Sequence, residues 1–421
     1  MDLHENEPTP PSASHRPPAD PTRQHFQQLD GLRGIAILMV VACHLEFLYQ
    51  PPSHVRGPIA QLSQGGWMGV DLFFVLSGFL ITGILLATRD GPGYFRNFLA
   101  RRFLRIWPLY YANLIVFFVL LPLALPKVPH ELQSMIDHQS WFWLYGANWL
   151  FAREHGFNHT GGGYFWSLAV EEQFYLIWPF VVLWLSPRAL LRTSIALLLS
   201  SIVLRVLLVA LGVNIFSLYT ITFTHLDGLA IGSVLAIVLR RGEPTVWLKR
   251  SVTPVFFISL AALAWVWIAD GSLYYWNRHM VLTGYASIAL MAGTLVFWSL
   301  QTAPSGLWNR ALRSAPLVKI GRLSYGVYLI HPPIAGFAAA HLMPRLAKAL
   351  PQWPYLARYC FLVAVVGIVT WTLALVSWNL FEKRLLALKR YFEYEPPAAS
   401  PSAPQPEPSF LKAQPETDIA R

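Results

Sequence analysis

Charge is scarce in this chain. Only 13% of its 421 residues are charged, about half the share usual in soluble domains. That excludes an ordinary surface facing water on all sides. Cysteine is scarcer still, with two residues, Cys43 and Cys360. Both sit in apolar runs without a pairing framework or ligand spacing, so a disulfide scaffold is excluded and no metal is expected. Internal repeats are missing too, and with them the sequence sign of an inverted-repeat transporter. The net charge of +10 would suit nucleic acid on a soluble surface. Here the basic residues sit in short loops between apolar runs, so no nucleic-acid partner is expected.

What is present is apolar length. Hydrophobic residues make up 55% of the chain, and runs of about 20 recur, long enough to cross roughly 30 Å of hydrocarbon. The fold class expected is all-α, a polytopic membrane helical bundle with about ten transmembrane helices in a lipid bilayer. The spans fall at 34–50, 67–88, 106–125, 168–186, 189–211, 217–240, 253–269, 281–300, 317–341 and 357–381. The aromatic stretch 141–151, WFWLYGANWLF, is too short to span and is expected at the interface. It belongs to the longest outer loop, about 126–167, which is long enough to cover a site. Lysine and arginine crowd one alternate set of loops, including 89–105, 240–250, 310–322 and 383–390, which puts both termini in the cytoplasm. Residues 1–28 and 392–421 are Pro-rich and polar and are expected to be disordered tails around one transmembrane domain at 29–391.

Ionisable residues within spans are functional-site candidates by default. In LDGLRGIAILMVVACH, Arg33 and His44 are eleven residues apart, which advances a helix about 16 Å and returns it to nearly the same face. Alone, the pair reads as a snorkelling arginine and a packing histidine. Other polar residues reach similar depth: His331 in LSYGVYLIHPP, Glu171 and Glu172 in WSLAVEEQFYLIWPF, Asp71 and Ser77 in GWMGVDLFFVLSGF, and His225 and Asp227 in FTHLDGLAIG. A structural ion pair between Asp227 and Arg205 stays open. The whole set reads as a hydrophilic cavity towards the outer half, with Glu171, His225, Asp227 and His331 as candidate acceptor contacts.

At the cytoplasmic mouth, RRFLRIWPLYY sets Arg102 and Arg105 three apart on one helix face. Forked guanidinium groups suit phosphate; topology-setting charge is the bland alternative. Arg33, Arg102 and Arg105 would hold a phosphate-bearing carrier, whose slender arm delivers its reactive end to His44. Coenzyme A has that shape.

At these residues the sequence resembles the membrane acyltransferase-3 family, which includes bacterial O-antigen, exopolysaccharide and nodulation-factor acetylases and macrolide acylases. The likeness runs from about residue 26 to 390. It rests on six ordered motifs, LDGLRGIAILMVVACH, GVDLFFVLSGFLIT, RRFLRIWPLYY, WSLAVEEQFYLIWP, HLDGLAIGSVLA and GRLSYGVYLIHPP. The resemblance implies a ten-helix bundle in the bacterial inner membrane. Its implied activity is transfer of an acyl group, usually acetyl, from acyl-CoA (usually acetyl-CoA) to a hydroxyl of a carbohydrate or lipid-linked glycan bound for the cell surface. It makes His44 the catalytic residue with Arg33 its partner, matches Arg102 and Arg105 to an Arg-x-x-Arg motif, and places Glu172 in a WSL segment. Two departures stand out. His225 occupies the place, two before Asp227, where relatives usually carry arginine, and FEKRLL replaces a Glu-x-Pro. No appended esterase-like domain is recognised, so a lipid-linked or small acceptor such as a macrolide is the alternative to a polysaccharide.

Chemically, the hydroxyl lacks only a base, and His44 suits that role; a covalent acyl-histidine is the other route. Glu172 or Asp71 would orient His44 or contact the acceptor, with Glu171 not separable from Glu172 by sequence. The rival readings are a carrier of a polar lipid or sugar and a structural or sensory bundle.

Overall fold

The computed structural model describes residues 26–49, 63–157, 162–240, 242 and 244–394. The expected tails lie outside these residues, apart from their innermost few. The chain is helical throughout, with no strand among the described residues.

One principal helix falls on each expected span. They are α1 (Gln27–Tyr49), α2 (Gly69–Thr88), α3 (Tyr94–Ile115), α4 (Phe165–Trp184) and α5 (Pro187–Ala210). The second half adds α6 (Leu226–Arg240), α7 (Val246–Asp270), α8 (Tyr285–Gln301), α9 (Ser324–Phe337) and α10 (Tyr355–Ser377). Seven of these, α1, α2, α3, α5, α7, α8 and α10, are long and apolar enough to cross a membrane.

The other three depart for local reasons. α4 carries Glu171 and Glu172 in its second turn. α6 begins only at Leu226, because the chain before it forms a short helix, Ile215–Thr220, and a tight turn, Thr222–Thr224. α9 is followed by a π-helical turn, Ala338–Leu342, and a further helix, Met343–Ala349. Two of the principal helices start at side-chain caps. Ser186 accepts from the Ala189 amide ahead of α5, and Thr245 accepts from Leu248 ahead of α7, each satisfying an otherwise orphaned donor.

Inside the bundle α1, α2 and α8 are mostly buried. α5, α7 and α10 expose apolar side chains such as Leu199, Ile258, Ile268 and Ile368, which hydrocarbon solvates without penalty. α2 lies along α6 at backbone contact. A β-carbon at Gly78 would collide with the Leu229 carbonyl, and one at Gly232 with the Val75 carbonyl. The reciprocal pair of glycines lets the two backbones meet, as small residues do in membrane interfaces. The stretch 141–151 is pinned to the bundle. Tyr110 donates to the Phe142 carbonyl at 2.7 Å, Tyr111 to Trp143 at 3.1 Å and Gln173 to Tyr145 at 2.9 Å, while Phe142 and Phe151 are fully buried.

Candidate active site

Five helices converge on one cavity of about 100 Å³. Arg33 comes from α1, Ser77 from α2, Arg102 and Arg105 from α3, and Glu171 and Tyr175 from α4, with Tyr325 and Tyr328 closing it from α9. The three arginines expected to hold a carrier therefore share one chamber with a carboxylate expected on the acceptor side. Arg33 Nη1 donates to Asp30 Oδ1 at 2.9 Å one turn earlier, which fixes it at the cavity edge. Arg102 Nε is buried and has no hydrogen-bond partner among the described residues. An unpaired buried guanidinium donor is costly, and a phosphate or other anionic group in the cavity would satisfy it. The donor set fits an acyl-CoA as substrate in that respect.

Eleven residues further along α1, about 16 Å, His44 meets α9. Its Nδ1 lies 2.7 Å from His331 Nε2. His331 is fully buried and its Nδ1 lies 2.8 Å from the Val327 carbonyl one turn back. A carbonyl only accepts, so His331 Nδ1 carries its proton and, in the neutral ring, Nε2 is the acceptor. His44 must then donate through Nδ1–H, which leaves the lone pair of neutral His44 on Nε2. His44 itself is only partly buried. Pro332 and Pro333 follow His331 and supply no amide to the carbonyls of Tyr328 and Leu329. Asn113 Nδ2 donates to the Leu329 carbonyl, at 3.4 Å.

The two glutamates separate cleanly. Ser77 Oγ donates to Glu171 Oε1 at 2.7 Å, and Tyr175 OH donates to Ser77 Oγ at 3.0 Å. Glu172, about 100° around the helix, is 4% exposed and accepts from Trp107 Nε1 at 3.0 Å. Of the pair, Glu171 lines the cavity.

Asp71, His225 and Asp227 form a different group. Asp227 Oδ2 pairs with Arg205 Nη1 at 2.9 Å, both side chains fully buried, and Arg205 Nη1 also donates to the Thr224 carbonyl at 2.5 Å. His225 Nδ1 stands 3.6 Å from Asp71 Oδ1, and its ring stacks on Tyr285 at 4.8 Å. Phe74 lines the arginine cavity on one side and meets His225 edge-on at 6.0 Å on the other. The cluster thus sits behind an aromatic wall, outside the cavity lining. No group of metal-ligating side chains occurs among the described residues.

Sequence reading missed Tyr175, Ser167, Tyr325 and Tyr328 as cavity residues. The signal for Tyr175 was present, four residues after Glu171 on the same face. Tyr328 likewise lies three before His331. The contact of His44 with His331 spans 287 positions and left no local trace.

An arginine cluster thus lies at one end of α1 and a histidine pair further along it, inside an apolar bundle. The chain belongs to the acyltransferase-3 family, whose acyltransferase domain matches residues 26–375. Peptidoglycan O-acetyltransferase OatA of Listeria monocytogenes is 30% identical over 349 residues, covering 79% of this chain and 53% of the relative. O-acetyltransferase OatA of Staphylococcus aureus is 28% identical over 344 residues, covering 76% and 52%. The chain spans about half the length of these curated relatives. No solved structure matches it.

Proposed function

We propose that the chain moves an acetyl group from acetyl-CoA to a hydroxyl of a cell-surface polysaccharide, with both termini in the cytoplasm of a bacterial inner membrane. One observation carries the reading. Arg33, Arg102 and Arg105 share a cavity at one end of α1, and His44, held by His331, stands eleven residues along the same helix. Such spacing suits a donor with a phosphate-bearing head and a long arm. The names of the relatives supply the acceptor class, and peptidoglycan is the first candidate.

In the reaction His44 Nε2 takes the proton of the acceptor hydroxyl as its oxygen attacks the thioester carbonyl. The carbon–sulfur bond of the tetrahedral intermediate then breaks, and the departing thiolate takes the proton back from His44. The ester and the free thiol are the products, and no further reactant is needed. In this reading Glu171, which accepts from Ser77 Oγ, contacts a substrate within the arginine cavity.

Membranes with and without the chain, supplied with labelled acetyl-CoA, test this. Label is expected in surface polysaccharide, and none with His44→Ala. Solute moved unchanged across the membrane, with acetyl-CoA untouched, would instead favour a carrier.

A further inference from the structure

The beginning of α3 borders a second cavity that the proposed chemistry does not use. It holds about 430 Å³ and is lined by Arg96 and Asn97 on one side and Arg390, Tyr391 and Glu393 on the other. That volume lies within the ~300–1,000 Å³ of small-molecule sites. The arginine cavity, at about 100 Å³, lies below that range.

The wall opposite α3 is built by the chain beyond α10. After a π-helical turn at Trp378–Glu382 it runs through Lys383–Leu386 and Ala387–Phe392 and is fastened to α3. Asn97 Nδ2 donates to the Glu393 carbonyl at 2.8 Å. Arg101 Nη1 donates to the carbonyls of Phe392 and Lys389 at 3.1 and 3.3 Å, and its guanidinium lies 4.9 Å over the Tyr394 ring. Two exposed cations flank the opening. Arg96 Nε donates to Asn97 Oδ1 at 3.2 Å. Arg390 Nη2 donates to the Tyr391 hydroxyl at 2.8 Å and its guanidinium lies 4.9 Å over that ring. Arg96 and Arg102 are six residues apart, about 9 Å along α3 and about 120° around it, so the two cavities border neighbouring parts of one helix.

We infer that this cleft binds the adenosine end of coenzyme A, with its 3′-phosphate on Arg96 and Arg390, its base against Tyr391 and its diphosphate left to Arg102 and Arg105. The inference rests on the proposed donor. The arginine cavity is the smaller of the two and lies on the His44 side of the cleft along the proposed donor path. Guanidinium forks match phosphate, and an aromatic face beside an arginine takes a base by stacking. The Glu393 carboxylate, which would repel a phosphate, accepts from a ribose hydroxyl or the exocyclic amine.

Binding of coenzyme A and of 4′-phosphopantetheine, which has the arm without the nucleotide, to the full chain in detergent tests the cleft. Wild type is expected to hold coenzyme A about tenfold tighter or more, the loss typical of one charged hydrogen bond. Arg96→Ala combined with Arg390→Ala should erase that margin and leave phosphopantetheine binding unchanged. Tyr391→Ala should remove part of it. Undiminished coenzyme A affinity in the double variant overturns the cleft while the donor reading stands. Absence of coenzyme A binding in wild type overturns both.

Discussion

Ser77 Oγ and Glu171 Oε1 are joined by a 2.7 Å hydrogen bond across the α2–α4 interface. Tyr175 donates to the same Ser77 oxygen, so each hydroxyl proton in the chain Tyr175–Ser77–Glu171 has an acceptor. Glu171 is thereby presented to the cavity that holds the three arginines. Glu172 faces the other way, into contact with Trp107. Neighbouring residues on a helix cannot share a face, so one glutamate serves the cavity and the other serves packing.

The two are expected to separate by measurement. Glu171→Gln should lower turnover about tenfold or more, the loss of one charged hydrogen bond to a substrate, with little change in melting temperature. Glu172→Gln should leave turnover near wild type and cost about 1–3 kcal/mol of stability, because a charged partner of the Trp107 N–H is weakened. Turnover lost in Glu172→Gln and kept in Glu171→Gln would reverse the assignment.

For the arginines the readout is donor affinity. Arg33→Ala, Arg102→Ala and Arg105→Ala should each weaken coenzyme A binding about tenfold or more without removing the protein from the membrane. Lysine at position 102 should restore only part, since a point charge lacks the fork that reaches two phosphate oxygens. Equal affinity in all three alanine variants would reduce the cluster to topology-setting charge.

Much of this architecture was legible because hydrocarbon imposes a simple rule, and ten apolar runs produced ten principal helices. The rule weakens wherever function intrudes. α4 carries two carboxylates, and α6 starts late behind a tight turn. Within the site, shared faces along one helix were readable: Arg33 with His44, and Arg102 with Arg105. Contacts between helices were not, because nothing in either segment alone announces that His44 meets His331. The helical phase of Glu171 and Glu172 could be guessed from Tyr175, but which phase faces inward depends on α2. Burial also misleads from sequence alone. Asp71, His225 and Asp227 look like cavity residues by depth, yet Phe74 and Trp166 stand against the His225 ring.

The ion pair behind that wall is expected to act on stability. Arg205 and Asp227 are fully buried, so removing one partner strands a charge in low dielectric. Arg205→Leu or Asp227→Asn should each cost about 3–5 kcal/mol, whereas an apolar double replacement, Arg205→Met with Asp227→Leu, should recover most of it. Thermal unfolding in detergent reads this directly. Single variants that melt like wild type yet lose turnover would instead bring the cluster into acceptor recognition.

The histidine pair allows the sharpest test. His331 accepts from His44 because its other nitrogen is engaged by the Val327 carbonyl, and this leaves the lone pair of neutral His44 on Nε2, the atom proposed as the base. His44→Ala should abolish transfer and leave coenzyme A binding intact, since the arginines remain. His331→Ala removes the acceptor for the Nδ1 proton and should lower turnover about a hundredfold, within the range for acid–base catalysis. Glutamine at 331 is the informative substitution. Its amide oxygen can accept from His44 and its amide nitrogen can donate to Val327, so His331→Gln should retain far more activity than His331→Ala. Equal losses in the two would mean that His331 works by packing or as a second base. Donor-only incubation then separates the chemical routes. A base leaves no acetyl on the protein, whereas label retained by wild type and absent from His44→Ala would show that His44 Nε2 attacks the thioester itself. With a hydroxyl acceptor that needs deprotonation and a thioester already activated, the expected protein is unlabelled.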